Sequence, residues 1–243
     1  MKSIEISNLQ WDTDFFGIKC GKTVISDDEI SFDLFNEQIK FFDFVTIQNV
    51  GNKVAVNKLL ADNTNAFLAD INIQFEKKLN KIDSEETNNN YVIVPANETS
   101  DEEISQMIVE EDDFKFSKFV CDDNLKKRKG YLVYKEWLNN ARKATNKYFI
   151  LKFDENEKIS AYILFNITND VGTIELVKVN REHQGNHIGS SMIKQIENYL
   201  CINGVDIVHV GTQLNNIPAM NLYHNLGFKE ISRTSVFHLW KID

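Results

Sequence analysis

A mixed α/β fold, with a central and mostly antiparallel sheet flanked by helices, is the class that this sequence predicts. Three patterns predict it. Strand-like and helix-like apolar spacings alternate through residues 1–80, three β-rich runs joined by turn residues follow one another between residues 147 and 179, and a helix–strand–helix–strand series closes the chain. Composition agrees: 243 residues, 42% hydrophobic and 11% aromatic, with 2 Pro and 10 Gly, suffice for a sizeable core. A net charge of −9 argues against a general nucleic-acid binder, which needs a cationic face to displace counterions. Cys20, Cys121 and Cys201 fall in no zinc or iron–sulfur spacing and the five histidines in no metal motif, so no metal is expected. The N-terminus lacks an apolar targeting core and no apolar run could span a bilayer, so the expectation is a cytoplasmic protein without a membrane partner.

The elements follow in order. Asp27-Asp28-Glu29 places negative charge where a helix would start, with Ile30, Leu34 and Ile39 near one face. Residues 44–47 read as a strand, 52–60 as a helix and 66–75 as a strand, which makes residues 1–80 a small α/β domain. Residues 81–90 carry almost no apolar side chain and are the expected linker to a second domain, 91–243. There, residues 91–94 read as a strand ending at Pro95, and Ser100-x-x-Glu103 spells a capping box opening a helix to about Glu110. Residues 125–143 read as one basic helix weakened near its start by Gly130. Residues 147–153, 159–167 and 172–179 form an antiparallel meander. Met192, Ile193, Ile196 and Leu200 keep helical spacing up to Asn203-Gly204, a stop signal; a strand at 206–210, a short helix at 217–226 and a β-rich run at 228–240 complete the chain. The two halves are compatible with distant copies of one α/β unit.

The chemistry concentrates at residues 180–189, which link a strand to a helix. Glycine there lets backbone approach a ligand without a Cβ, and a helix N-terminus offers free N–H groups and the positive end of the macrodipole to an anion. An ordinary glycine-containing turn has the same spelling. The order of parts is more specific: strand, Gln184-Gly185-Asn186-His187-Ile188-Gly189, helix, strand, then Asn216-x-x-Ala219-x-x-Leu222-Tyr223-x-x-x-Gly227-Phe228. This series resembles the GNAT superfamily of acyl-CoA N-acetyltransferases, with His187 standing where that family's loop has its middle glycine. The resemblance implies the GNAT fold, with a partial GNAT-like domain at residues 1–80, and acetyl-CoA as co-substrate. It further implies that residues 175–179 form a strand splayed from its neighbour, where Val177 and Val179 pair with the pantetheine arm and the Val177 N–H holds the thioester oxygen. Gln184, Gly185, Asn186, His187, Ile188 and Gly189 would hold the pyrophosphate, Asn216 would contact the cofactor arm, and Tyr223 would protonate the departing thiolate. Glu175, on the cofactor strand, is the candidate base, with ordered water as the alternative.

A second set of motifs bears on the acceptor. Phe116-Ser117-Lys118-Phe119 before a helix with Tyr131, Tyr134 and Trp137, and Trp11-Asp12-Thr13-Asp14-Phe15-Phe16-Gly17, resemble the signatures of dTDP-fucosamine acetyltransferase-like nucleotide-sugar enzymes. By that resemblance Ser117, Lys118, Phe119 and Tyr131 bind the acceptor, and Lys118, Lys126, Lys127 and Arg128 offer charge to a pyrophosphate. A solvated helix face is the plain alternative for the last three. The expected activity is acetyl transfer to the amine of a nucleotide-activated amino-deoxysugar in a ternary complex. Another small amine or a protein N-terminus as acceptor, or a degenerate acyl-CoA-binding module, stays open, as does a homodimer.

Overall fold

The computed structural model describes residues 5–26, 32–79, 91–107, 110 and 112–241; the expected linker and the Asp27-Asp28-Glu29 helix start lie outside the described residues. In chain order the first half contains β1 (Ser7–Asn8), α1 (Gln10–Phe16), β2 (Cys20–Ile25), α2 (Phe32–Ile39), β3 (Phe44–Val50), α3 (Val54–Asn63) and β4 (Phe67–Lys78). Then come β5 (Tyr91–Pro95), α4 (Asp101–Gln106), α5 (Lys118–Cys121), α6 (Asp123–Lys127), α7 (Val133–Ala141), β6 (Lys147–Phe153) and β7 (Ile159–Thr168). The last elements are β8 (Val171–Val179), α8 (Ile188–Ile202), β9 (Ile207–Gln213), α9 (Ile217–Asn225) and β10 (Lys229–Trp240).

Local chemistry explains many of these boundaries. Ser100 and Glu103 form the expected reciprocal capping box at α4, which ends at Gln106 rather than near Glu110. Gly17, at φ 68°, closes α1 in the left-handed conformation that glycine tolerates. The single helix expected over 125–143 is a departure: α6 and α7 are separate, with a 3-10 turn at Gly130–Leu132 between them. Lys129 takes φ 60° there, and a Cβ on Gly130 would collide with the Phe119 carbonyl oxygen. The chain therefore turns where α5 presses against it.

Among the described residues, all strands join one ten-stranded sheet in the order β1-β2-β3-β10-β4-β9-β8-β7-β6-β5, with β2/β3 and β8/β9 parallel and the other neighbours antiparallel. The series β2-α2-β3-α3-β4 and β8-α8-β9-α9-β10 have the same connectivity. Each half's last strand lies inside the other half: β10 between β3 and β4, and β4 between β10 and β9. The sheet thus crosses the boundary expected at residues 81–90 without a break.

Strand alternation sorts side chains onto two faces. On one face, Ile73, Ile163, Ile174 and Val210 pack under Met192, Ile196 and Leu200 of α8 and Tyr223 of α9. In the first half the corresponding layer is Val45, Ile47 and Phe237 under Phe35, Val56 and Leu60. The opposite face is covered by α4 and α7 over Phe149, Tyr162 and Leu164, and by α1 and α6 over Phe44 and Cys20.

Candidate active site

The site begins where two strands part. β8 and β9 keep parallel register only from Val171↔Ile207 to Ile174↔Val210; beyond that, β8 stays with β7 and β9 with β4. Glu175 is the extra residue of a β-bulge, since Leu164 faces Leu176 while Phe165 faces Ile174. A bulge bends and twists its strand, which fits a bend at the point of parting. The result is a V-shaped cleft of about 1420 Å³, open to the α8 end.

Backbone orientation follows from register. The Asn180 N–H donates to Ser160 O at 2.9 Å, on the β7 side. Backbone groups alternate sides along an antiparallel strand, so those of Lys178 and Leu176 also face β7, while those of Val177 and Val179 face the cleft. The Val179 carbonyl accepts from Gln184 Nε2 at 2.9 Å, as this orientation requires.

At the open end stands the N-terminus of α8. Its N-cap, His187, lies at φ 57° and ψ 14° and makes no side-chain capping bond, so the first amides of the helix are left to a ligand or water. Histidine thus adopts the left-handed conformation for which the middle glycine of such loops is suited, at a cost of about 1 kcal/mol. Gly185, at φ 82°, shares that conformation. Opposite, Asn216 caps α9 by accepting from the Ala219 N–H at 3.3 Å, with Pro218 in the first turn. Tyr223 lines the cleft between Phe75 and Phe228 and is 4% exposed; burial raises its phenol well above the ordinary range, so it keeps its proton.

The wide side of the cleft is aromatic and latched. Phe114 stacks on Tyr134 at 4.0 Å, and Trp137 meets Tyr134 edge-on at 5.4 Å. The segment carrying Phe114 is tied to β8 by an ion pair of Asp113 with Lys178 at 2.6 Å, both side chains 10% exposed, and to the following turn by Asp112 with Arg181. Breaking a pair as buried as the first costs about 3–5 kcal/mol.

Val177, Val179, Gln184, Gly185, His187, Ile188, Gly189, Asn216, Tyr223, Glu175 and Ser117 all line this cleft; Asn186, Lys118, Phe119 and Tyr131 do not. The departures have physical reasons. Both Glu175 oxygens are engaged, one by Lys147 Nζ and the other by Asn166 Nδ2, each at 2.6 Å, so the carboxylate is not presented as a free base. Ser117 is the buried N-cap of α5, accepting from the Phe119 N–H. Lys118 lies under burial that lowers its pKa, opposed by the charges of Asp12 and Asp70 and reinforced by Lys22. Phe119 packs against Phe16 and Tyr134, while Tyr131 sits in the 3-10 turn. Parts of the two acceptor-side signatures therefore meet each other outside the cleft, Asp12 and Phe16 against Lys118 and Phe119, while Ser117, Tyr134 and Trp137 line it.

Sequence reasoning missed Asn72 and Gln74 of β4, which line the cleft from the other half. It also missed Gly211, opposite Gln74 in register, although an isolated strand glycine signals close approach. Among the described residues no group of three His, Cys, Asp or Glu is placed to hold a metal, and no helix is long and apolar enough to cross a membrane.

The family model of the acetyltransferase (GNAT) family matches residues 107–228. The chain belongs to this family. Over 76 residues it is 30% identical to a streptothricin acetyltransferase from Escherichia coli, a match covering 31% of this chain and 44% of that protein, so the chain spans less than half of this curated relative. Three solved structures share the fold across most of the chain. A GCN5-related N-acetyltransferase from Sphaerobacter thermophilus has TM-score 0.57 at 15% identity, covering 87% of this chain and 67% of its own. A conserved protein of unknown function from Staphylococcus epidermidis ATCC 12228 has TM-score 0.62 at 11% identity, covering 92% and 85%. A tandem GNAT protein from the clavulanic acid biosynthesis pathway has TM-score 0.59 at 14% identity, covering 92% and 76%.

Proposed function

We propose that this chain is an acetyl-CoA-dependent N-acetyltransferase that acylates a small-molecule amine by direct transfer in a ternary complex. One observation carries the reading: the cleft-facing backbone of Val177 and Val179 leads on one side to the uncapped N-terminus of α8 and on the other to a protonated, buried tyrosine. When bound, acetyl-CoA supplies an activated acyl thioester and a thiol leaving group. Val179 and Val177 offer the strand edge to an extended arm, and the amides around Gly185 and Gly189 face a pyrophosphate. The Val177 N–H is a fixed donor for the carbonyl oxygen as it gains charge, which needs no reorganisation during reaction. Tyr223 holds the proton that the departing thiolate needs. With Glu175 engaged, the amine's proton leaves to solvent. None of Cys20, Cys121 or Cys201 lines the cleft, which favours direct transfer over an acyl-cysteine route.

A nucleotide-activated amino sugar is the finer candidate. The aromatic wall of Phe114 and Trp137 suits a base or a sugar face, whereas Lys118, Lys126, Lys127 and Arg128 lie outside the cleft, so the support is the motif resemblance and that wall. Calorimetry with acetyl-CoA and desulfo-CoA tests the donor half; micromolar binding, about −8 kcal/mol, is expected. Thiol release is then measured against peptides, polyamines, free amino sugars and a dTDP-linked 4-amino sugar. Turnover confined to peptides would remove the small-molecule reading, and no binding of either donor ligand would leave a non-catalytic module.

A further inference from the structure

If the donor lies as proposed above, its arm enters from α8, passes Val179 and reaches Val177, so the acyl group points on toward the place where β8 and β9 meet. That wedge ends at the Ile174↔Val210 pair, three residues past Val177, or about 10 Å of strand. A wedge of that length admits more than a methyl group unless something fills it.

The structure supplies a filler. The first residue of β9 beyond the junction is Gly211, whose register partner on β4 is Gln74. The Gln74 side chain lies across Gly211 so closely that a Cβ there would collide with its Nε2. The same Nε2 donates to Asn72 Oδ1 at 2.5 Å, which fixes the amide in place, and Gln74 and Gly211 both line the cleft. Glycine weakens a strand interior, and a seat for the neighbouring amide accounts for it here. A longer acyl chain would have to displace Gln74, breaking its bond to Asn72, or press methylenes against a polar group.

We propose that Gln74, seated on Gly211, closes the acyl end of the cleft and restricts the donor to acetyl-CoA. The inference rests on the donor site proposed above and adds a specificity-determining residue contributed by the other half of the chain. Binding measurements test it without knowledge of the acceptor. Calorimetry with CoA, acetyl-CoA and butyryl-CoA on the unmodified protein is expected to give butyryl-CoA a Kd at least about tenfold weaker than acetyl-CoA, the scale on which pockets separate ligands by methylenes. Gln74→Ala is expected to bring the two within about threefold, while Gln74→Leu, which keeps most of the volume but loses the amide and its bond to Asn72, gives a gap between those of Gln74→Ala and the unmodified protein. CoA, which lacks the acyl group, monitors the fold and the rest of the site in each variant. Equal binding of acetyl-CoA and butyryl-CoA by the unmodified protein, or a gap that Gln74→Ala leaves intact, overturns the proposal. Failure of all three ligands to bind the unmodified protein removes the donor site and the proposal with it.

Discussion

In the first half of the sheet β2 stays paired with β3 along its whole length, from Cys20↔Phe44 to Ile25↔Asn49; in the second, β8 leaves β9 after four residue pairs, Val171↔Ile207 to Ile174↔Val210. The loops that follow differ in the same sense. After β8 come Gln184, Gly185 and an uncapped helix start, whereas after β2 the sequence reads Asp27-Asp28-Glu29, acidic and without glycine. The seventh residue of α9 is Tyr223, and the seventh of α3 is Leu60, each buried under its helix. One βαβαβ connectivity thus occurs twice, and only the second copy combines a parted strand pair, a glycine loop and a buried phenol, the parts on which the proposed transfer rests. The unit supplies the scaffold, and a few residues supply the chemistry.

The largest expected effect is at Tyr223. Tyr223→Phe makes the second half resemble the first in lacking a proton donor, and kcat is expected to fall about 100-fold or more with the acetyl-CoA Kd unchanged. Thiol release and calorimetry on the same preparation read the two quantities. Full activity in the variant would move the acid elsewhere and remove this distinction between the halves.

What was legible in the sequence was local. The glycine-containing turn before α8, the short helix that carries Tyr223 and the capping box at Ser100 each depend on residues a few positions apart, and each element lies where expected. The exchange of β4 and β10 between halves was not legible, because apolar alternation says which face a strand buries and not which strand it joins. Gln74 entered the cleft by that exchange, so no motif near it could announce it. Ser117 and Lys118 show the converse: their spelling is that of a binding motif, but a serine before a helix is also an N-cap, and Lys118 faces carboxylates of its own chain.

The next effect should be common to both halves. Gly21 and Gly172 are each the second residue of the strand that opens its βαβαβ series, and each is crowded: a Cβ on Gly21 would stand 2.7 Å from Ile6 Cγ2, and one on Gly172 2.5 Å from Leu200 Cδ1. Gly21→Ala and Gly172→Ala are each expected to lower stability by about 1–3 kcal/mol in urea unfolding. A large loss for one and none for the other would show that the copies no longer share this packing. A smaller effect follows from giving the second loop the charge of the first. Asn186→Asp places a carboxylate beside the α8 N-terminus, and acetyl-CoA should bind about tenfold more weakly, with less difference at high salt.

The smallest expected effect concerns a buried group of β10, the strand of the second half that lies inside the first. His238 Nδ1 lies 2.6 Å from Asp122 Oδ2, which also accepts from Trp240 Nε1, while His238 Nε2 is buried without a partner. Burial lowers the His238 pKa, the Asp122 hydrogen bond opposes that, and the Lys118 charge adds to it. Burial pushes Asp122 up, but hydrogen bonds from His238 and Trp240 outweigh it and hold the carboxyl below its usual range. Since the fold favours neutral His238, its contribution is present above the unfolded value near 6.5 and is lost as pH falls from there toward the lowered folded value. Asp122 contributes above about 3.8 and is lost only as pH falls further, through its own lowered value. Asp70, pushed up to about 6 by burial, works oppositely: the fold gains from it as pH falls through 6. The readout is therefore a difference between two proteins. Urea midpoints at pH 7.5 and 5.0 should fall less for His238→Gln than for the unmodified chain, while acetyl-CoA binding at pH 7.5 stays the same. Equal falls would mean that the fold does not hold His238 neutral, and a change in acetyl-CoA binding would mean that the halves communicate through β10.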